Sequence, residues 1–425
     1  MTRCRNGRRN QKVADFKECN QMESKGISKL DLKRRNRKQI LNVMREFGPI
    51  SRVDIAAELQ LTRAAVTIIT NDMIEQGVLM ELGEAPVDEH NLKKGRRKIL
   101  IEVNSNYKFV LGAMINEHNI SVGLSNLVGE VLDKDFMELT DEHDQQDIIA
   151  FIARACTRML KNSGLTEKQV LGLGVGIVPS RWEQLRADIH DDTPDFSKLR
   201  YILELEVNVP VHCGNAIALY AMANLDHRKG GHQNQLLLYS GSQYNLAVIS
   251  DNALVRRCVV RTDNVERVVI NPGGAKAEGF PDGSVRAELS LPAIMEGIRA
   301  RFGENSTPIL YQLCNGNIDE ITIEKANMAF SEGDPAVSEW LEQKLHLLAH
   351  LLHNMMLTQF ADYAVLQNYH FCDKSKKLLH DYMAEISGEE MADHVVYSPL
   401  DAERSFLAGC VYATEEMFYA QGGLI

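Results

Sequence analysis

The spacing of apolar residues changes several times along the chain, and each change marks an element. Between residues 31 and 47, Ile40, Leu41, Met44 and Phe47 share one face of a helix that Gly48-Pro49 ends. Residues 51–77 then predict two short helices around a tight turn at Gln60-Leu61. Ser51 and Thr62 are N-cap candidates, because a side-chain oxygen at that position accepts an orphan backbone N–H. Ile55, Ala56 and Leu59 line the first of these helices. In the second, Val66, Ile69 and Met73 recur at i, i+3 and i+7 with Ile74 beside them, and Thr70 interrupts the stripe. Residues 78–82 and 98–103 read as the two strands of a hairpin.

The pattern changes character after Asn104. Residues 109–115, 119–126 and 131–138 read as strands, followed by a helix over 145–160 and a buried strand over 170–178. A helix at 197–206, a strand at 210–213 and a helix at 217–225 come next, then a hairpin of 236–239 with 246–249. The rest is mainly helical, at 291–302, 323–330, 336–358 and 404–419, with a strand at 364–367. Groups of strands followed by crossover helices, twice over, predict an α/β body of two similar lobes. Three regions are therefore expected: a basic arm (1–28), a helix-turn-helix with a hairpin (29–104) and the two-lobed body (105–425).

Charge sharpens this division. The net charge of −11 hides 21 Lys and Arg against 13 Asp and Glu in residues 1–100, and 26 against 45 in the remainder. A basic head on an acidic body points to a polyanion partner for the head alone. The eight cysteines contain no C-x-x-C pair, which argues against a disulfide framework and a cysteine-built zinc site. No apolar run approaches the roughly 18 residues of a membrane span, and none follows the Arg-rich N-terminus as in a secretory signal. A soluble, cytoplasmic protein with no membrane partner is expected.

The candidate chemistry follows from the head. Thr62, Arg63, Ala64, Ala65 and Thr67 form a face of small side chains, one cation and hydroxyls, which is what a helix entering a DNA major groove requires. Arg35 and Arg52 are placed to hold the DNA backbone, Arg35 within a helix start (33–38) dense enough in charge to contact phosphates. The hairpin tip, Lys94, Gly95, Arg96, Arg97 and Lys98, is a basic wing whose glycine allows close approach to a minor groove. His346, His350 and His353 lie at i, i+4 and i+7. Two such histidines can share a metal ion, but no acidic residue stands between them as on a metalloprotease helix, so a polar helix face or subunit contact is expected instead. No cofactor and no metal are expected.

From about Leu32 onward the chain resembles the ROK family (repressors, open reading frames, kinases), in its transcriptional-regulator branch. The resemblance rests on RNRKQIL, GPISRVDIAAELQLTRAAVTIITNDMIEQGVL and GRRKILIEVN, with weaker echoes in LGAMINEHNISVGLSNLVGEVL, VLGLGVGIVP, VPVHCGN, GDPAV and SFLAGC. It implies a mixed α+β and α/β fold: a winged helix-turn-helix followed by a two-lobed actin-like ATPase (RNase H-like) body. It also implies a homodimer or homotetramer on double-stranded operator DNA that lets go when a sugar binds the body. Kinases of the family carry their general base in a Glu-Asn-Asp segment, and the matching stretch here is Gly214-Asn215-Ala216. Their first phosphate loop would fall at 111–115 or just before, and their second around 240–247, where one glycine is retained. The family's zinc-binding His is matched by Arg267, and residues 273–284 contain no cysteine. Asn215 alone survives as a candidate ligand-binding residue, with a helix N-cap as its competing role. The expected function is a non-enzymatic, DNA-binding repressor of carbohydrate-related genes. The alternatives are a regulator whose body binds a partner protein instead of a sugar and, in third place, a sugar kinase.

Overall fold

The computed structural model describes residues 29–84, 97–140, 142–185, 188–190, 193–227, 233–255 and 262–424. They divide into two compact units. The first runs to Met44, resumes over Pro49–Glu102 and takes in Tyr419 onward; the second comprises Arg45–Gly48 and Val103–Phe418.

In the first unit, α1 (Lys29–Phe47), β1 (Ile50–Ser51), α2 (Arg52–Glu58) and α3 (Arg63–Glu75) precede β2 (Leu79–Glu84) and β3 (Ile99–Val103). The strands form a sheet in the order β1-β3-β2, with Ile50 opposite Ile101. Ile40, Leu41, Ile55, Val66, Met73, Val78 and Ile101 are all fully buried and make its core. Ser51 caps α2 by accepting the Asp54 N–H at 3.3 Å, and Gln60 takes a left-handed φ of 53° to turn the chain into α3. Thr70 is no interruption of the core face, contrary to the sequence pattern. It is fully buried and donates its hydroxyl to Val66 O at 2.9 Å, which satisfies the polar atom locally. Within the charged run of α1, Lys33, Arg34, Arg35 and Lys38 are exposed, and Arg37 alone is withdrawn from the surface. Arg37 is fully buried and donates to Gly422 O (2.7 Å), Gly423 O (3.2 Å), Asp72 (3.0 Å) and Gln76 (2.9 Å), fixing the chain's last residues into this unit.

The second unit opens with β4 (Phe109–Ile115), β5 (Asn119–Asn126) and β6 (Val131–Glu138). They are followed by α4 (Gln145–Ser163), β7 (Val170–Ile177), the small hairpin β8 (Asp188–His190) and β9 (Thr193–Asp195), α5 (Ser197–Val207), β10 (Val211–Asn215) and α6 (Ala216–Ala223). A second series follows: β11 (Gln235–Tyr239), β12 (Asn245–Ser250), β13 (Ala253–Leu254), α7 (Val285–Leu289), α8 (Leu291–Arg301), α9 (Pro308–Leu313), α10 (Ile323–Glu332) and α11 (Pro335–Gln359). It ends with β14 (Tyr363–Gln367), α12 (Asp373–Ser387), α13 (Glu389–Asp393), β15 (Val395–Tyr397) and α14 (Phe406–Thr414).

The two five-stranded sheets run β6-β5-β4-β7-β10 and β13-β12-β11-β14-β15. Each has an antiparallel meander on one side and two parallel strands on the other, so the lobes repeat one topology. α4 buries Ile148 and Ile152 against Val122 and Val175 of the first sheet, whereas Phe330, Leu345 and Leu352 pack against Leu236 and Leu238 of the second. A third cluster joins the lobes, with α6 lying among Met114, Leu237, Ala247, Val365 and Ala408. α14 approaches the first sheet so closely that a Cβ on Gly174 would collide with Gly409 O, and one on Gly409 with Gly174 O. The helix predicted over 404–419 is thus α14 followed by a π-helical turn, Glu415–Tyr419.

Candidate nucleic-acid interface and the cleft of the body

Thr62 caps α3, its hydroxyl accepting the Ala65 N–H at 3.2 Å. Arg63, Ala64 and Thr67 are exposed on the first turns and Ala65 is half-buried. The Arg63 guanidinium engages no acceptor among the described residues. Thr67 donates to Arg63 O at 2.7 Å. Sequence reasoning missed Ile68, which is 71% exposed, and Asn71, also exposed. With Ala64 and Thr67 they occupy i, i+3, i+4 and i+7, one face of the helix. The apolar stripe read from the sequence ran through Ile69, which is half-buried, and left Ile68 without a role.

Arg52 has a different setting from the one expected. Its Nε donates to Thr70 Oγ1 at 3.0 Å, and one terminal nitrogen reaches Asn71 Oδ1 at 3.1 Å and Glu81 at 2.8 Å, so it braces α2 against α3 and β2. Arg35 is exposed on α1. At the wing, Arg97 pairs with Glu84 at 3.1 Å and Lys98 with Asp54 at 2.6 Å. The bond from Lys98, with a second from Ser51, holds the Asp54 carboxyl below its ordinary pKa. Lys94, Gly95 and Arg96 lie outside the described residues, as does the expected arm over 1–28.

In the body, the segment expected to hold a first phosphate loop is strand: Leu111, Ala113, Met114 and Ile115 of β4 are fully buried. The turn that faces the cleft comes next, at Asn116, Glu117 and His118. Tyr220 donates to Asn116 Oδ1 at 2.6 Å, and Asn116 Nδ2 donates to Asn119 Oδ1 at 2.8 Å. The second expected loop is the β11–β12 turn, where the Ser242 N–H donates to the Glu117 carboxylate at 3.1 Å. A side chain of the protein therefore takes a backbone amide that a phosphate loop would aim at its ligand. This donor set does not fit a nucleotide phosphate, since an anion would meet the Glu117 carboxylate. Glu266, which burial pushes to a higher pKa, accepts from Tyr244 N (3.0 Å) and Arg286 (3.2 Å) behind the same turn. Asn215 is buried and caps α6 by accepting the Ile217 N–H at 2.9 Å.

The segment expected to lack the family's zinc is organised by a carboxylate. Glu288, 2% exposed, accepts from Asn271 Nδ2 (2.8 Å), Ala275 N (2.8 Å) and Lys344 Nζ (2.6 Å). Burial alone would raise its pKa; the three donors outweigh burial and hold it below the ordinary value. Arg267 lies over the Phe280 ring at 5.4 Å. A cation in the histidine's place and a buried carboxylate already held by an ammonium do not fit a zinc ion. On α11, His346 stacks on Tyr382 of α12 at 3.6 Å between ring centres, and His353 Nδ1 lies 2.6 Å from Ser387 Oγ.

No protein-family model matches the chain. A curated relative, the xylose repressor of Caldicellulosiruptor bescii, is 25% identical over 312 residues, which cover 71% of this chain and 75% of that protein. Among solved structures, a ROK family transcriptional regulator described as a homologue of the E. coli Mlc protein superposes with a TM-score of 0.68. The match covers 92% of this chain and 98% of that one, at 17% identity. The ROK hexokinase from Thermus thermophilus superposes with a TM-score of 0.55 over 72% of this chain and 98% of its own, at 16% identity. The second unit accordingly has the actin-like ATPase fold of the ROK sugar kinases. The chain is thus similar in sequence to a xylose repressor and similar in fold to a ROK family transcriptional regulator, with a winged helix-turn-helix unit preceding a body of sugar-kinase fold along the sequence.

Proposed function

We propose that the chain is an operator-binding repressor of carbohydrate-related genes whose body senses and does not catalyse. The observation that carries this reading is the outer face of α3. It presents a capped N-terminus, an unengaged guanidinium at Arg63, small neighbours at Ala64 and Ala65, and the hydroxyl of Thr67. Such a face admits base edges of the major groove, and a bidentate Arg–guanine contact is worth on the order of 1–3 kcal/mol. The relative named a xylose repressor supports carbohydrate genes as the target and a sugar as the effector. Lys98, Arg97 and the rest of the wing supply phosphate or minor-groove contacts, and Arg35 contacts the backbone. A homodimer or homotetramer reads a pseudo-palindrome with half-sites spaced by whole helical turns.

Genome-wide mapping of bound DNA, followed by fluorescence anisotropy on the recovered site, tests this. Arg63→Ala is expected to weaken operator binding about tenfold or more and to relax specificity at one base position. An Arg63→Ala protein that binds its operator like wild type at physiological salt overturns the assignment of α3. Phosphotransfer lacks support because Gly214 and Ala216 stand where a base would be, and a general base is what activation of a sugar hydroxyl requires. Transfer of phosphate from magnesium ATP to any pentose or hexose would reverse that half of the reading.

A further inference from the structure

The outer face of α3 carries two residues that the base contacts named above leave unused, Ile68 and Asn71. With Ala64 and Thr67 they complete the i, i+3, i+4, i+7 set of one exposed helix face. That is the spacing with which a recognition helix lying in the major groove presents side chains to base edges. We infer that Ile68 and Asn71 together read a thymine in each operator half-site, Ile68 against its C5 methyl group and the Asn71 amide nitrogen as donor to its O4. The inference deepens the DNA-binding half of the reading above and rests on it.

Three observations carry it. First, Ile68 points away from the core. Val66, Thr70 and Met73 are the buried residues of α3, and Ile68 falls on the opposite side of the helix, 71% exposed. No other large apolar side chain described in the first unit is as exposed. Toward α1 it borders an open groove with Leu32, Lys33 and Asn36, so no described side chain closes over it. Second, its surroundings suit a dry contact. A single exposed isoleucine is ordinary on a protein surface. This one stands among Ala64, Thr67 and Asn71, which carry no charge, so little desolvation opposes a methyl group placed against it. The charge that attracts a phosphate backbone is held apart from this face, on the exposed Arg34, Arg35 and Lys38 of α1. Third, the amide of Asn71 has a fixed sense. Arg52 donates a terminal nitrogen to Asn71 Oδ1 at 3.1 Å. A guanidinium has donors only, so the amide oxygen faces Arg52 and Nδ2 faces the other way. An asparagine that reads adenine uses both its oxygen and its nitrogen on the base. With its oxygen committed to Arg52, Asn71 offers the donor. In the major groove guanine has acceptors and no methyl group, and cytosine presents an amino donor; thymine alone sets an acceptor beside a methyl group. That pair matches Asn71 Nδ2 beside Ile68.

Fluorescence anisotropy with the full chain tests this on the operator recovered by genome-wide mapping. Each thymine of a half-site is replaced in turn by deoxyuridine, which lacks only the methyl group. Deoxyuridine is expected to weaken binding about fourfold at one position in each half-site, the worth of about one buried methyl group. Ile68→Ala is expected to bind the thymine operator more weakly and to lose that difference, whereas Ile68→Val keeps most of it. At the same position 5-methylcytosine, paired with guanine, keeps the methyl group and puts an amino donor in place of O4. Wild type is expected to prefer thymine by about tenfold or more, and Asn71→Ala to narrow that preference to about threefold or less. Both side chains are exposed, so the variants are expected to melt like wild type. Indifference of wild type to deoxyuridine at every position, an Ile68→Ala protein as sensitive to it as wild type, or an Asn71→Ala protein with the full preference overturns the inference. If that Ile68→Ala protein also sediments differently as the free chain, Ile68 belongs to a subunit contact. Intact operator affinity without a deoxyuridine effect removes the thymine contact and leaves the repressor standing, whereas a chain that recovers no DNA removes both.

Discussion

The outer face of α3 and the turns of the body use similar residue types to opposite ends. On α3, the Arg63 guanidinium engages no acceptor among the described residues, Thr67 is exposed, and Ile68 stands in solvent. In the body, Glu117, Glu266 and Glu288 all accept backbone N–H groups of neighbouring loops, and Glu288 adds a buried ammonium. The physical distinction is solvation. An exposed cation keeps its hydration until a phosphate or base edge replaces it, so leaving it unpaired costs little. A turn folded into a cleft must satisfy its amides, and where no phosphate does so a carboxylate of the chain takes over. The contrast separates groups reserved for an external partner from groups that have become structural.

The largest effect is expected where the structural side is most buried. Lys344→Ala strands Glu288 as an unpaired buried carboxylate and should destabilise the body by about 3–5 kcal/mol in denaturant titrations. Lys344→Met with Glu288→Gln should recover much of that loss, because the desolvation of both charges is removed together. A pH titration reports the same pair. The folded carboxyl has a pKa held below the ordinary 4.5. Its contribution is therefore fully present above the unfolded value and is lost as pH falls through the folded one. Glu288→Gln should flatten that acid limb, and an unchanged limb would mean that another carboxylate sets it.

Much of this was legible in the sequence, for local reasons. The caps Ser51 and Thr62, the helical period of Val66 and Met73, and the strand-length runs over 109–138 depend on residues a few positions apart, and the three strands 109–115, 119–126 and 131–138 appear with those bounds. What was illegible is long-range. Arg37 looked like surface because its acceptors, Gly422 O and Gly423 O, lie 385 and 386 positions away. Glu288 was invisible as the organiser of 271–275 because Lys344 comes from α11, 56 residues on. Thr70 looked like a polar break because sequence pattern does not show that a hydroxyl can bond to the carbonyl one turn back. The position of the first phosphate loop came from the family resemblance, and the same residues, read as a strand from their own pattern, are strand; Gly112 there makes room for α14, where a Cβ would collide with Phe406 O.

Arg52 sits between the two classes and sharpens the comparison. Its contacts to Thr70, Asn71 and Glu81 make it structural, whereas the sequence placed it against DNA. Arg52→Ala should lower the stability of the first unit by about 1–3 kcal/mol, in line with hydrogen bonds from a charged donor. If the bracing role is the whole of it, the salt slope of operator binding will not move. A slope reduced by about one would add a phosphate contact. Thr62→Ala should cost about 1 kcal/mol through the lost cap on α3, and Thr62→Ser should restore it.

The smallest expected change in stability belongs to Lys98, and it tests the rule from the other side. Its ion pair with Asp54 is short, 2.6 Å, yet both side chains are about half exposed. Such a pair contributes about 0.2–1 kcal/mol, because solvent screens it and two side chains lose freedom to form it. Lys98→Ala should therefore leave the melting temperature almost unmoved. If Lys98 is reserved for DNA, the loss will appear instead in anisotropy titrations over a range of salt, as a slope lower by about one. Asp54→Asn should act oppositely, freeing the ammonium and removing a nearby negative charge, so operator affinity should rise at low salt. A Lys98→Ala protein with an unchanged salt slope would move Lys98 to the structural class despite its exposure, and solvation would no longer suffice to tell the two classes apart.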